Sequence, residues 1–155
     1  MDDALKRLIL ELLGENRIMT IATNRPDGWP HATVVGYVND GPVLYGFIAR
    51  DSQKYANIAR DARVSITIAH DYPHPLAIKG LSMAGRVSFV DDPEEFRRVI
   101  ALMSERYPEY TTFPLPKLEE VPLMRVVPEV VSVLDYSKGF GHTDLVEIDG
   151  DLRAA

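Results

Sequence analysis

The 155-residue chain has no cysteine. Disulfides, thiolate metal centres and thiol nucleophiles are therefore excluded. Basic residues are outnumbered: 17 Lys and Arg stand against 23 Asp and Glu, a net charge of −6. That balance argues against nucleic acid as a partner, which needs clustered cations, but leaves room for a local basic pocket around one anion. No apolar run approaches the ~20 residues of a membrane helix. Asp2 and Asp3 precede an amphipathic stretch that lacks the basic and apolar regions of a signal peptide. No membrane partner and a cytoplasmic location are the expectation. Also missing are a G-x-G-x-x-G loop, a G-x-S-x-G elbow and a Ser-His-Asp order, so a Rossmann dinucleotide site and hydrolase chemistry have no support. His70 and His74 have the spacing of a helical metal pair, but Pro73 and Pro75 forbid that helix, and no metal site is expected.

What is present suits one domain. The chain is 46% hydrophobic and 26% charged, enough to bury a real core. Residues 1–150 are assigned to that domain and 151–155 to a flexible tail. Leu5, Leu8, Ile9, Leu12 and Leu13 fall on one helical stripe, with Gly14 placed as its stop. Strands are expected over 18–23, 31–38 and 43–48, joined by the turn Arg25-Pro26-Asp27-Gly28 and the hairpin signal Asn39-Asp40-Gly41. These three read as an antiparallel meander. A short helix over 52–61 begins at Ser52 as N-cap. Further strands are expected over 64–69, 77–90 and 124–134, with Gly80, Gly85 and Pro128 as candidate bulge or bend positions. Asp92, Pro93 and Glu95 announce another helix in the manner of a capping box. A Pro-rich loop covers 108–122, and the segment after 135 starts irregular and can close with a short strand. The fold class is mainly β (α+β): an antiparallel six-stranded split β-barrel with flanking helices, which handles sheet edges well.

The chemically informative stretch runs from Leu44 to Ile58. A strand ends, a polar turn follows and a helix begins, with Arg50, Ser52 and Lys54 crowded at the helix start. Cations there cost about 0.3–1 kcal/mol unless something compensates them. A phosphate would do so, held by free backbone N–H groups, a hydroxyl and the cations. In the tail, Tyr136, Lys138, Phe140 and His142 surround two glycines. That segment reads either as a loop over a ligand or as an edge strand with a Gly-rich turn.

The ordered set Ala22-Thr23, Pro26-Asp27-Gly28-Trp29-Pro30, Val34-Val35, Leu44-Tyr45, Ser52-Gln53-Lys54, Asn57 and Asp61-Ala62-Arg63-Val64 resembles the FMN-binding split-barrel proteins related to pyridoxamine 5′-phosphate oxidase. It spans roughly the first half of the chain. The resemblance implies that Thr33, Val34 and Val35 line the flavin ring through the backbone, with Phe47, Ile48 and Ala49 continuing that wall. It implies that Ser52 and Lys54 hold the phosphate, helped by Gln53 and Arg50. It further implies FMN as cofactor, a homodimer with flavin at the interface, and oxidoreductase action on a small-molecule substrate. The sequence departs from the family at Gln53, where the oxidases often carry Arg, and near His31, where the oxidase itself has Arg. The C-terminal Trp and Arg motifs that read pyridoxal phosphate have no match, and Trp29 is the sole tryptophan. The substrate is therefore not assigned as pyridoxamine phosphate, and the catalytic residues stay unknown. The alternative is a carrier that holds flavin, deazaflavin or haem without turning it over.

Overall fold

The computed structural model describes residues 2–148; the expected tail, 151–155, lies outside the described residues. Helix α1 spans Asp3–Glu15, capped by the Asp2 carboxylate, which accepts from the Ala4 N–H at 3.1 Å. The helix runs through Gly14 and stops at Asn16, where the backbone becomes extended and the side chain donates back to the Leu12 carbonyl. Gly14 is therefore not the stop the sequence suggested. Ile9, Leu12 and Leu13 are buried among Met19, Ile21, Ile66, Met83 and Val131, so the amphipathic stripe serves as part of the barrel core.

Eight strands follow: β1 (Ile18–Asn24), β2 (Pro30–Gly36), β3 (Val38–Asp40), β4 (Val43–Phe47), β5 (Arg63–Ile68), β6 (Lys79–Phe89), β7 (Leu123–Asp135) and β8 (Thr143–Glu147). They form one antiparallel, strongly curled sheet in the order β2-β1-β5-β6-β7-β4-β3. β7 gives one edge to β6 and shares the other between β4 and β8. The fold class is the split barrel expected. The strand count rises from six to eight because the second run is divided at Tyr37 and the tail closes as a strand.

That division also corrects the expected meander. β1 and β2 pair with each other, β3 and β4 pair with each other, and the two hairpins end up at opposite limits of the sheet. The chain crosses between them at Tyr37, whose N–H donates to the Arg17 carbonyl at 3.0 Å and whose hydroxyl donates to the Leu13 carbonyl at 2.8 Å. Where the limits meet, a Cβ on Gly46 would sit 2.8 Å from the Gly36 carbonyl oxygen. Only a bare backbone permits that approach.

Helix α2 (Gln53–Arg60) connects β4 to β5, and α3 (Pro93–Arg106) covers the β3–β4 hairpin through a second core of Val38, Tyr45, Phe96, Val99, Met103 and Leu123. Asp92 caps α3 by accepting from the Glu94 and Glu95 N–H groups at 3.2 and 3.3 Å. The reciprocal half of the expected capping box is absent. Glu95 instead accepts from Arg125 at 2.8 and 2.7 Å and from the Tyr45 hydroxyl at 2.9 Å, fastening α3 to β7 and β4. Glu129 is an extra residue in β7 opposite Ala84 and Gly85, a bulge beside Pro128 where Gly85 leaves room for the Val127 carbonyl.

Candidate functional site

β4 runs into the turn 48–52, and the turn runs into α2. The Ser52 N–H and hydroxyl both donate to the Ala49 carbonyl, at 3.1 and 2.6 Å, which closes the turn. The same hydroxyl accepts from the Tyr55 N–H at 3.1 Å as the helix cap. Ser52 therefore shapes the helix start, while the Gln53 and Lys54 N–H groups have no acceptor among the described residues. These are the orphan donors that make a helix start receptive to anions.

Three side chains on α2 hold it against the first hairpin. Lys54 donates from Nζ to the Thr33 hydroxyl on β2 at 2.8 Å. Asn57, fully buried, accepts from Gln53 at 2.8 Å and donates to the Thr23 hydroxyl on β1 at 3.0 Å. Thr23 in turn donates to the His31 carbonyl at 3.5 Å. Arg60 donates to the Asn24 carbonyl at 2.6 Å, and Asn24 donates to Asp61 at 3.1 Å. Asp61 also accepts a forked pair from Arg63, at 3.0 and 2.8 Å, which holds its carboxyl well below the usual range. The spacing Asn57, Asp61, Arg63 is thus explained by packing of α2 on β1 and β2.

Two groups in this corner are left in want of a partner. Lys54 is partly buried and meets no carboxylate among the described residues; its sole partner is a neutral hydroxyl. Burial pushes its ammonium below the ordinary lysine pKa. His31 lies two residues from Thr33 on the same side of β2, and its Nδ1 is buried without any hydrogen-bond partner. A cation lacking an anion, an orphaned ring nitrogen and two free backbone donors form a fitting donor set for a phosphate monoester.

The expected site residues divide by position. Thr33, Ser52, Gln53 and Lys54 come together at the α2 start, with Ala49 exposed in the turn. Arg50 is exposed and lies over the Tyr55 ring, 5.7 Å from its centroid. Val35 and Ile48 turn their side chains into the core, so only their backbones can face a ligand. Val34 stands on the opposite, outward face of β2 and is 66% exposed. Phe47 packs edge-on against Phe96, with ring centroids 6.2 Å apart. His31, Thr23 and Asn57 complete the corner. The i, i+2 relation of His31 to Thr33 was the available sequence signal for the first; Thr23 and Asn57 stand in the ordered motif set, but their contact depends on how α2 packs against β1.

The tail does not reach this corner. Tyr136–Lys138 is a short 3-10 turn, Gly139 and Gly141 adopt φ of 141° and 74°, and β8 pairs with β7. Lys138 and His142 both contact Asp144, at 3.1 and 3.0 Å, beside the first turns of α1. His74 accepts from the Leu76 N–H through Nδ1 at 3.1 Å, and His70 stacks on Tyr72 at 3.8 Å.

Comparison with known proteins agrees with this architecture. The sequence profile described as Pyridoxamine 5'-phosphate oxidase matches residues 5–134. A conserved hypothetical protein from Mycobacterium tuberculosis superposes with a TM-score of 0.72 at 28% identity, over 97% of this chain and 93% of that one. HutZ, a haem storage protein from Vibrio cholerae, gives a TM-score of 0.68 at 26% identity, over 81% and 90%. A haem-binding protein from Mycobacterium smegmatis gives a TM-score of 0.79 at 18% identity; it is matched over 99% of this chain, which spans 61% of its length, and at that identity it speaks for the fold alone. No curated protein matches the sequence significantly.

Proposed function

Since the chain belongs to the pyridoxamine 5′-phosphate oxidase family, we propose that it is an FMN-binding flavoprotein acting as an oxidoreductase on a small molecule. The observation that carries this reading is Lys54: a partly buried ammonium, paired only to the Thr33 hydroxyl, beside two free backbone donors. FMN would bring a phosphate to that corner. Lys54, His31 and the Gln53 and Lys54 N–H groups would hold it, with Arg50 adding positive charge from the exposed side of the turn. The backbones of β2 and of the β4 end would support the ring. Bound FMN supplies hydride transfer; the protein supplies position and electrostatics. Ser52 contributes by fixing the turn, so that the free donors converge without reorganising.

The proposed assembly is a homodimer. Ile18, Trp29 and Val34 are 58%, 73% and 66% exposed on or next to the first hairpin, an apolar surface that a second copy would cover. The purified protein should be yellow, or should bind added FMN with one site per chain and quenched flavin fluorescence. A chain that binds no FMN would refute the proposal. The haem proteins among the structural neighbours favour a second reading, a haem carrier. Of the four histidines, His142 is engaged with Asp144 and His74 with the Leu76 N–H, which leaves His31 and His70 as candidate axial ligands. A strong Soret band on haem addition, lost in His31→Ala or His70→Ala, would establish that reading.

A further inference from the structure

The Pro-rich segment after α3 was expected to be a plain loop. It instead roofs a cavity of about 390 Å3, within the roughly 300–1,000 Å3 typical of small-molecule sites. The walls include Tyr37, Phe47, Met103 and Tyr107, and the loop adds Phe113 and Leu115; no lining residue is charged.

Two of the three hydroxyls on this wall are already engaged, and the third, on Tyr110, belongs to a half-exposed side chain. The Tyr37 hydroxyl donates to the Leu13 carbonyl at 2.8 Å. The Tyr107 hydroxyl is taken up by the carbonyls of Tyr37 and Arg17. The two nearby cations are spent as well. Arg106 lies 5.4 Å from the Tyr37 ring centroid, with its guanidinium on the Leu13, Gly14 and Asn16 carbonyls and on Asn39. Arg17 lies 5.0 Å from the Tyr107 centroid and pairs with Glu109 at 2.8 Å. An incoming charge would therefore lose its water and gain no counter-charge, a steep cost. Aromatic faces and a thioether instead favour a flat, polarisable ring.

The cavity also adjoins the cofactor wall. Gly36 ends β2, Phe47 ends β4, and both line it. Thr33 and Gly36 are separated by about 10 Å of strand, so the cavity opens at the far end of β2 from the phosphate corner.

We propose that this cavity binds an uncharged, planar, apolar ring compound, and that it is the substrate subsite of the flavoprotein; the second clause rests on the FMN reading given above. The test uses the full chain without flavin and Prodan, an uncharged planar naphthalene dye. Wild-type protein should bind Prodan with a blue-shifted emission. Leu115→Glu, which places a charge at the wall, and Phe113→Ala, which removes ring contact, should each weaken binding by about tenfold or more. Both side chains are exposed, so melting temperatures should stay unchanged. A naphthalene sulfonate should not compete. Prodan affinity that is the same in wild type and both variants, or competition by the sulfonate, overturns the proposal. The dye is read without flavin, so failure to bind FMN would strike the flavoprotein reading while leaving the cavity assignment to the dye.

Discussion

Lys54 shows how one side chain can be costly to the free protein and useful to the loaded one. Burial disfavours its charged form, and the Thr33 hydroxyl compensates only in part. Its folded pKa is lowered, so the cost is fully present at neutral pH and fades as pH rises through the folded value. Lys54→Met should accordingly leave thermal stability of the flavin-free protein unchanged or raised. The same variant should lose a charge-assisted contact worth about 1.5–3 kcal/mol, a roughly tenfold to hundredfold rise in the FMN dissociation constant. Calorimetry and flavin fluorescence titration measure the two effects. FMN affinity of the wild type should also fall on going alkaline, beginning below the ordinary lysine pKa of 10.5, because the deprotonated amine no longer balances the phosphate. Lys54→Arg, charged throughout, should flatten that profile. A wild-type profile as flat as the arginine variant's would remove Lys54 from the phosphate site. Lys54 was legible in the sequence, since a cation at a helix start asks for an anion. The Ser52 cap was legible too; what the local pattern left open was whether that hydroxyl also contacts a ligand, because one Ser can do either from the same sequence. The orphaned His31 nitrogen was not legible, since burial of a single ring atom is decided by tertiary packing.

Among the elements, α2 and α3 begin where their caps said they would, because capping is local chemistry: Ser52 and Asp92 each accept the predicted helix N–H groups. The bulge near Gly85 and Pro128 was likewise readable, since a missing donor and a missing side chain mark where a ladder yields. Glu95 was not, as a capping box and a salt bridge to Arg125 compete for one carboxylate and the bidentate cation wins. The break of the second strand at Tyr37 was also hidden. Apolar alternation carries no information about which distant strand becomes the neighbour, so a barrel seam looks like a continuous strand. Gly46 sits at that seam, with the Gly36 carbonyl 2.8 Å from where its Cβ would be. Gly46→Ala must push β4 off β2, an overpacking cost of about 1–3 kcal/mol. Denaturant unfolding should register that loss. FMN affinity should fall with it, because β2 and the β4 end form the proposed ring wall. Gly14→Ala, where an added Cβ meets nothing within 4 Å, is the control and should be neutral or stabilising.

For the whole molecule, the decisive feature is the outer face of the curled sheet. Reading across paired strands, Val34, Thr20, Thr67, Ser82, Ser132 and Leu145 form one row. Ala32, Ala22, Ser65, Ala84, Val130 and Glu147 form the next. In a chain that is 26% charged, these rows hold a single charge, Glu147. A solvated face carries more charge than this, whereas the core of an interface is depleted of charged residues. Burying it against a second copy would also cover Val34 and place the partner next to the β2 backbone, whose other side bears Thr33, the acceptor of Lys54. Assembly and cofactor binding should then be linked, since a ligand that contacts both copies stabilises their union. Val34→Lys tests this at one point. Its side chain is two-thirds exposed in the isolated chain, so the fold should survive, and circular dichroism should show an unchanged melting profile at low protein concentration. Sedimentation should show the wild type as a dimer and the variant as a monomer, because each association would bring two lysines into an uncharged interface. FMN binding by the variant should weaken although Lys54, Thr33 and the α2 start are untouched. A wild type that sediments as a monomer with FMN bound, or a monomeric variant that binds FMN as tightly as the parent, would show that a single barrel completes the site.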